Sequence, residues 1–404
     1  MTQSTSDVII IGGGPSGVAA AIAMRKAGVG KITLLEREQH LGGATRHCSH
    51  SPFGMLEFGR VYFGSAYGKR LEKEVENFDI DVRYGHSVAR LDERGELLVS
   101  NDVGLETLTA KRVLVATGVR ETARVVTGDR LAGILTTGSL QSYLAFHKLM
   151  PFKRPVIVGS ELVTLSAIWT CLGHGARPVA VLEPRSHALV GPPLNWFPAM
   201  MGIPFYRSTE IVDIVGRGRV EAVKVRRGNG TETIECDGVL FSGQFTPEAS
   251  LFQTSGLAVD FGSAGPAVDQ DGRCENPYYF AAGNILRAVE TGGWAFREGR
   301  SVGRALAEDI LRDPSGEIPV RVTYDEPIKL VVPNLIRNGA LLAGGLKDFQ
   351  LRFVRRAQGT LLLEIDGRDV WLHRTAWRPE IRIIVPRPKR VMKAQSVHFR
   401  FIEE

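Results

Sequence analysis

Cysteine is scarce in this chain. Its 404 residues hold four, at positions 48, 171, 236 and 274, and no two form a Cys-x-x-Cys pair. That excludes a disulfide framework and the common zinc spacings, and predicts a reducing, cytoplasmic setting. Long apolar runs are also missing: nothing approaches the ~20 residues needed to cross a bilayer, so no transmembrane segment is expected. Residues 1–7 lack the basic and apolar regions of a secretory leader. No low-complexity segment occurs. Excess charge of either sign is absent from residues 1–346, because the formal net charge of +6 falls within 347–404, with 13 Lys/Arg against 7 Asp/Glu. Such a segment could meet nucleic acid, an acidic partner subunit or an anionic membrane face. Its basic residues alternate with apolar ones as in strands, and no nucleic-acid module accompanies them. A solvated charged face on a small β unit is the plainer reading, and nucleic acid is not expected as a partner.

What is present is a globular composition, 44% hydrophobic and 23% charged, in a chain long enough for two or three domains. It opens on DVIIIGGGPSGVAAAIAMRKAGVGKITLLE. Val8–Ile11 reads as a buried parallel strand, Val18–Ala27 as a helix and Lys31–Leu35 as a second strand. Gly12-x-Gly14-x-x-Gly17 supplies a tight turn, a close backbone approach to a pyrophosphate, and close packing of helix on strand. The helix start then offers free N–H groups to the phosphates. Glu36 lies where a carboxylate can accept from a ribose 2′-OH and would repel a 2′-phosphate.

The pattern recurs. From Pro155 the chain reads VIVG, then a helical stretch, then PVAVLE, so that Gly159 and Glu183 repeat the spacing of Gly12 and Glu36. Val113–Gly118 and Tyr278–Asn284 read as buried strands breaking at glycine, and Trp294–Leu311 reads as a helix. The expected fold is α/β: a Rossmann-like domain at 1–120, resuming at 257–312, with a second, degenerate Rossmann-like domain inserted at 121–256. A Pro-containing linker at 313–319 leads to a basic, β-rich unit at 320–404, with Asp366-Gly367 as a hairpin turn.

Gly12–Gly17, Glu36, Gly42-Gly43, Ala116-Thr117-Gly118 and Ala282-Gly283-Asn284 together resemble the two-dinucleotide-binding-domain flavoproteins, the superfamily of thioredoxin and glutathione reductases. The resemblance covers about 1–312 and implies FAD in the first domain. By it, Gly12, Gly14, Pro15, Ser16 and Gly17 hold the pyrophosphate, Glu36 and Arg37 lie at the adenosine ribose, and Gly43 and Arg46 lie beside the phosphates and ribityl chain. Val88 meets the adenine through its backbone, Ala116, Thr117 and Gly118 close the pocket, and Gly283 and Asn284 face the ribityl hydroxyls. Asn284 replaces the family's usual aspartate. The family's redox cysteine pair is absent, which argues against a disulfide reductase. In the repeat, Glu161 and Thr164 stand where the second and third glycines belong. A carboxylate ~4 Å from a phosphate charge costs about 4 kcal/mol at an effective dielectric of ~20, on the order of a thousandfold in affinity. The second domain is therefore expected not to bind NAD(P)H in the usual way.

A narrower likeness rests on Leu41–His50 with Pro52-Phe53-Gly54, on Gly133–Gly138 and on Asn284–Gly299. These stretches look like the FAD-binding subunits of heteromeric opine and hydroxyproline dehydrogenases and of hydrogen cyanide synthase. The likeness implies oxidation of a C–N (or C–O) bond in a small-molecule substrate, with electrons passing to a protein or quinone acceptor. It also implies a partner subunit, either a second flavoprotein or an iron–sulfur protein. Such subunits often carry a cysteine-rich cluster region at the C-terminus. This chain has no cysteine after position 274, so it lacks the ligands for one there. Two alternatives stay open: an NAD(P)H-dependent flavoprotein reductase, and a non-catalytic electron-transfer or assembly subunit.

The chemistry then falls on His47, Cys48 and His50. A histidine near the flavin could take a substrate proton as hydride leaves. The same histidines could instead orient their loop, or supply donors to a metal, for which no second ligand cluster is visible. Thr291-Gly292-Gly293-Trp294 would begin a helix aimed at the flavin pyrimidine, with Gly293 allowing close approach and Trp294 walling the ring or the substrate pocket. Cys171, Cys236 and Cys274 read as inert.

Overall fold

The computed structural model describes residues 4–122, 130–288, 290–312, 317–338 and 342–404. Of the expected linker, residues 313–316 lie outside the described residues, as do residues 1–3 at the amino end.

Ser4–Ile11 pairs in parallel with Ile32–Glu36 on one side and with Gly104–Val115 on the other, and Asp81–Tyr84 extends the sheet beyond Ile32–Glu36. Gly104–Val115 has a double role. Its first half pairs antiparallel with Glu96–Asn101, while Val113–Val115 also takes Tyr279–Ala281 in parallel. The apolar runs read from sequence are fully buried here, with Val8, Ile9, Ile10, Val113 and Leu114 at zero exposure. The sheet is thus completed by a strand from far downstream. A buried ion pair reinforces that closure: Arg112 Nε donates to Asp309 Oδ2 at 2.6 Å, across 197 positions of sequence.

Two helix boundaries differ from the expectation. The first helix is Pro15–Lys26 rather than 18–27, because Pro15 suits the first helical position and has no N–H to leave unpaired. The later helix is Gly292–Asp309 rather than 294–311, so both glycines lie inside its first turn. These two helices pack on each other through small residues. A Cβ on Gly299 would come within 2.1 Å of the Ser16 carbonyl, and one on Gly303 within 2.8 Å of Ala20 Cα.

A second, all-parallel sheet runs in the order Phe205–Arg207, Ala180–Glu183, Pro155–Val158, Gly238–Phe241, Ile134–Thr136. An antiparallel three-stranded sheet, Thr209–Gly216, Val220–Arg227 and Gly230–Glu235, lies beside it and was not read from the sequence. The chain passes between the two Rossmann-like sheets by a small ribbon, Val119–Glu121 against Phe245–Pro247. Beyond 317, a five-stranded and a three-stranded sheet enclose a separate core around Phe349, Phe353 and Phe399. Asp366 and Gly367 both take positive φ (50° and 73°) and connect Ala357–Ile365 to Arg368–Trp377, the geometry of a two-residue hairpin turn. No described helix is long and apolar enough to cross a membrane.

Candidate functional site

The glycine turn sits at the carboxyl end of the central parallel strand, where open α/β sheets place their ligands. Gly12 has φ of 103°, and a Cβ there would lie 2.6 Å from the Ala116 carbonyl. One on Gly17 would overlap the Gly12 carbonyl at 2.0 Å, so helix and turn meet with no room for a side chain. Gly14 is different: a Cβ built on it meets nothing within 4 Å. Open space lies above Gly14, bounded by Gly43, whose own Cβ would stand 3.2 Å from Gly14 Cα. Ser16 Oγ is buried and has no hydrogen-bond partner among the described residues. A pyrophosphate fits both facts, as it needs a backbone it can touch and would satisfy the stranded hydroxyl.

Glu36 is 6% exposed at the end of its strand. Its Oε2 accepts from Gly13 N–H (2.8 Å) and its Oε1 from Glu38 N–H (2.9 Å). Burial pushes its carboxyl above the ordinary value, while those N–H groups oppose the shift. Each oxygen keeps a further lone pair for a ribose hydroxyl. Arg37 beside it is exposed. His86 N–H donates to the Glu36 carbonyl (3.0 Å), which brings the start of the Ser87–Leu91 strand, and so Val88, toward this end of the sheet. Ala116 is buried behind Gly12, and Thr117 Oγ1 donates to the Glu248 carbonyl (2.7 Å) at the beginning of the ribbon with Gly118. Gly283 lies against Ser16, and its N–H donates to Glu298 Oε1 at 2.9 Å.

Two expected contacts are arranged otherwise. The Arg46 guanidinium donates to Glu38 Oε2 (2.6 Å) and to the His40 carbonyl (3.3 Å), so its charge is directed to Glu38 and not to the cradle. Asn284 turns its amide onto its own loop, with Nδ2 donating to the Glu290 carbonyl (3.0 Å) and Oδ1 accepting from Glu290 N–H (3.3 Å).

His47 closes the turn Gly43–His47 and lies edge-on to Phe146, ring centroids 4.8 Å apart. Its Nδ1 is 3.5 Å from Ser142 Oγ and its Nε2 is 3.7 Å from Glu38 Oε2. The nearby imidazole and the Arg46 guanidinium hold Glu38 down to about 2. Phe146 and Ser142 belong to a cleft of about 550 Å³, lined also by Glu121, Thr136, Gly138, Ser139, Tyr143 and His147. The cleft is lined entirely by residues between 121 and 147, and His47 lies beside it through Ser142 and Phe146. His50 does not share it. Its ring lies tilted against Phe53, centroids 5.3 Å apart, and burial lowers its pKa, which favours the neutral imidazole. Cys48 points its Sγ at Gln141 Oε1 (3.3 Å), and burial pushes the thiol up to about 12, which leaves no thiolate for chemistry. Among the described residues, no three His, Cys, Asp or Glu side chains stand ready to hold a metal ion.

Trp294 is 36% exposed in the first turn of Gly292–Asp309, with Arg382 above its ring at 3.8 Å and Arg297 at 5.8 Å. A Cβ on Gly292 would sit 3.6 Å from both Thr45 and Phe53, so this helix start borders the 43–53 segment. His47, Trp294 and the glycine cradle thus lie around one region.

In the second Rossmann-like unit the cradle is filled. Glu161 caps the Leu162–Gly173 helix and folds its carboxylate inward. A Cβ on Gly159 would meet Oε2 at 2.5 Å, and one on Gly243 would meet Oε1 at 2.3 Å. Ser242 Oγ donates to Oε2 at 2.9 Å and lies 2.6 Å from Thr164 Oγ1. Glu183, fully buried, accepts from Ser160 Oγ and from Arg185 N–H. Ser242 and Gly243 were not singled out from the sequence. Their signal was the Ser-Gly following the apolar run Val239–Phe241.

The family model for pyridine nucleotide-disulphide oxidoreductases matches residues 6–299. The chain is 28% identical over 342 residues to the biphenyl dioxygenase system ferredoxin–NAD(+) reductase component of Paraburkholderia xenovorans, covering 80% of this chain and 75% of that one. It is 24% identical over 311 residues to an opine oxidase subunit of Agrobacterium tumefaciens, covering 69% of this chain and 61% of that protein's length. Among solved structures, T. acidophilum thioredoxin reductase superposes with a TM-score of 0.63 at 22% identity, over 77% of this chain and all of that one, a likeness of fold.

Proposed function

The chain belongs to the pyridine nucleotide-disulphide oxidoreductase family and is an FAD-dependent oxidoreductase, and on that premise we propose that it oxidises a small substrate at a C–N bond. We propose further that it serves as one subunit of a larger dehydrogenase and passes the electrons to a protein or quinone acceptor. The observation that carries this reading is the contrast between the two cradles: the first is open above Gly14, and the second is filled by the Glu161 carboxylate. The likeness to an opine oxidase subunit supports the substrate class and the partner.

In the first cradle, the N–H groups at the start of Pro15–Lys26, the Ser16 hydroxyl and Glu36 would hold the cofactor. When bound, FAD supplies a two-electron acceptor for a hydride equivalent. The substrate amine loses that equivalent from carbon and a proton from nitrogen, and leaves as the imine. His47 takes the proton at Nδ1, on the side of Ser142 and the cleft. Glu38, ionised 3.7 Å from Nε2, offsets the charge that the imidazole gains. Phe146 and Tyr143 give the cleft an aromatic lining.

His47→Gln is expected to lower turnover on the substrate by about a hundredfold or more, in the range of a lost general base, while FAD retention stays unchanged. A loss of FAD with unchanged turnover per flavin would instead make His47 a support of its loop. The proposal as a whole is tested by anaerobic mixing, following bleaching of the flavin band. Candidate amines should reduce the flavin and NADH or NADPH should not. Fast reduction by NAD(P)H alone would favour the second reading, a nicotinamide-dependent reductase, for which the ferredoxin–NAD(+) reductase relative speaks.

A further inference from the structure

The basic surplus after residue 347 was expected on a solvated face, yet three of its arginines turn inward. Arg352 is 5% exposed at its side chain and Arg382 is 18%, and both reach Glu290 at 2.8 Å, from Nη2 to Oε1 and from Nη1 to Oε2. Arg387, half-buried, donates to the Leu346 carbonyl at 3.2 Å. Arg352 also donates to the Ala288 carbonyl. Glu290 immediately precedes Thr291, which caps the Gly292–Asp309 helix. Its own backbone N–H and carbonyl are held by the Asn284 amide. The Arg382 Cζ atom then lies over the Trp294 indole, 3.8 Å from the ring centroid.

We propose that the C-terminal β unit is a clamp on the flavin-side loop. Arg382 and Arg352, acting through Glu290 and Trp294, are positioning residues that fix where the Gly292–Asp309 helix begins. The inference rests on FAD occupying the first cradle and deepens that reading by giving the appended unit a task at the same site. A guanidinium–carboxylate pair buried at this depth is poor evidence for stability in itself, because desolvation offsets much of its attraction. Its geometric value is greater. Two guanidiniums of the C-terminal unit converge on one carboxylate that Arg287 also approaches at 3.6 Å, and one of the two lies over an indole, so few positions of the loop keep all these contacts. The backbone N–H groups of a helix start act on bound charge only within about one turn, so a small displacement of this start changes what a bound cofactor experiences.

The test compares Arg382→Ala, Arg382→Lys and Arg352→Ala with Arg355→Ala, an arginine of the same unit that faces solvent and pairs with Glu403. Two readouts are taken: tryptophan emission of the flavin-free protein, with Trp294→Phe identifying the Trp294 component, and the midpoint potential of the flavin in the loaded protein. Arg382→Ala should change the Trp294 emission and lower the potential by about 30 mV, a tenfold shift in the two-electron equilibrium. Arg382→Lys should fall between, since the charge stays and the planar guanidinium over the indole is lost. Arg355→Ala should change neither. If Arg382→Ala fails to fold, Arg382→Lys and Arg352→Ala decide by the same readouts. Folded variants with unaltered emission and potential would overturn the clamp. Because emission is read without cofactor, a protein that takes up no FAD would sink the FAD reading, and the emission of the variants would still decide the clamp.

Discussion

Gly14→Val is expected to give a folded protein that no longer holds FAD. Gly14 has φ of −71° and ψ of −179°, an extended conformation that valine adopts freely, ahead of a proline that favours it. A Cβ there meets no protein atom within 4 Å. The substitution therefore behaves toward folding like a surface change, within about 0.5 kcal/mol, and the melting temperature of the flavin-free protein should move by only about 1–2 °C. The branched side chain would fill the space that the pyrophosphate needs. Affinity for FAD should fall on the order of a thousandfold, about 4 kcal/mol, read by fluorescence titration of the stripped protein. A yellow Gly14→Val preparation would mean that the dinucleotide lies elsewhere. Gly17→Val, in contrast, should fail to fold, since its Cβ would overlap the Gly12 carbonyl.

The second large effect concerns the filled cradle. Glu161→Gly removes the carboxylate lying over Gly159 and Gly243 and leaves Ser242 and the start of Leu162–Gly173 facing open space. Two like charges ~4 Å apart repel by about 4 kcal/mol at an effective dielectric of ~20, so NADH binding should strengthen by up to about a thousandfold. Glu161→Gln, which keeps the bulk and drops the charge, should recover less. Calorimetric titration with NADH reads the binding, and anaerobic flavin bleaching reads whether hydride follows. A folded Glu161→Gly protein that still ignores NADH would shift the cause to Thr164, where the third glycine of such a turn would stand.

These expectations differ in how far they were visible in the amino-acid order. The first cradle was legible because it is local: three glycines, two apolar runs and a terminal acid within about thirty residues define the turn, helix and strand together. Its helix limits moved by two or three residues, since Pro15 and the Gly292-Gly293 pair sit inside helices that apolar periodicity alone would start later. The charge conflict at Glu161 was equally local. That the carboxylate folds inward was not, because its partner Ser242 lies 81 positions away. The cleft lined by residues between 121 and 147 is local, but its place beside His47 was hidden, because Ser142 lies 95 positions from that histidine. The Asn284 amide is engaged by the Glu290 backbone, a competition that spacing does not reveal. The arginines of the C-terminal unit misled most. Alternation of basic and apolar residues describes a half-exposed strand, but it is silent on whether the polar side meets water or an acid on a neighbouring loop.

The Arg112–Asp309 pair and the docking of Tyr279–Ala281 beside Val113–Val115 also bear on how this polypeptide is made. Ribosomes add about 5–20 residues per second, so Arg112 waits on the order of 10–40 s for its carboxylate, while the last hydrogen-bonding edge of the central strand stands uncovered. Nascent chains halted near residue 250 should therefore partition into the pellet, whereas chains halted beyond residue 312 should partition less. Ribosome-arrested chains of graded length, separated by centrifugation, would measure this interval of exposure, during which a chaperone has the most to do.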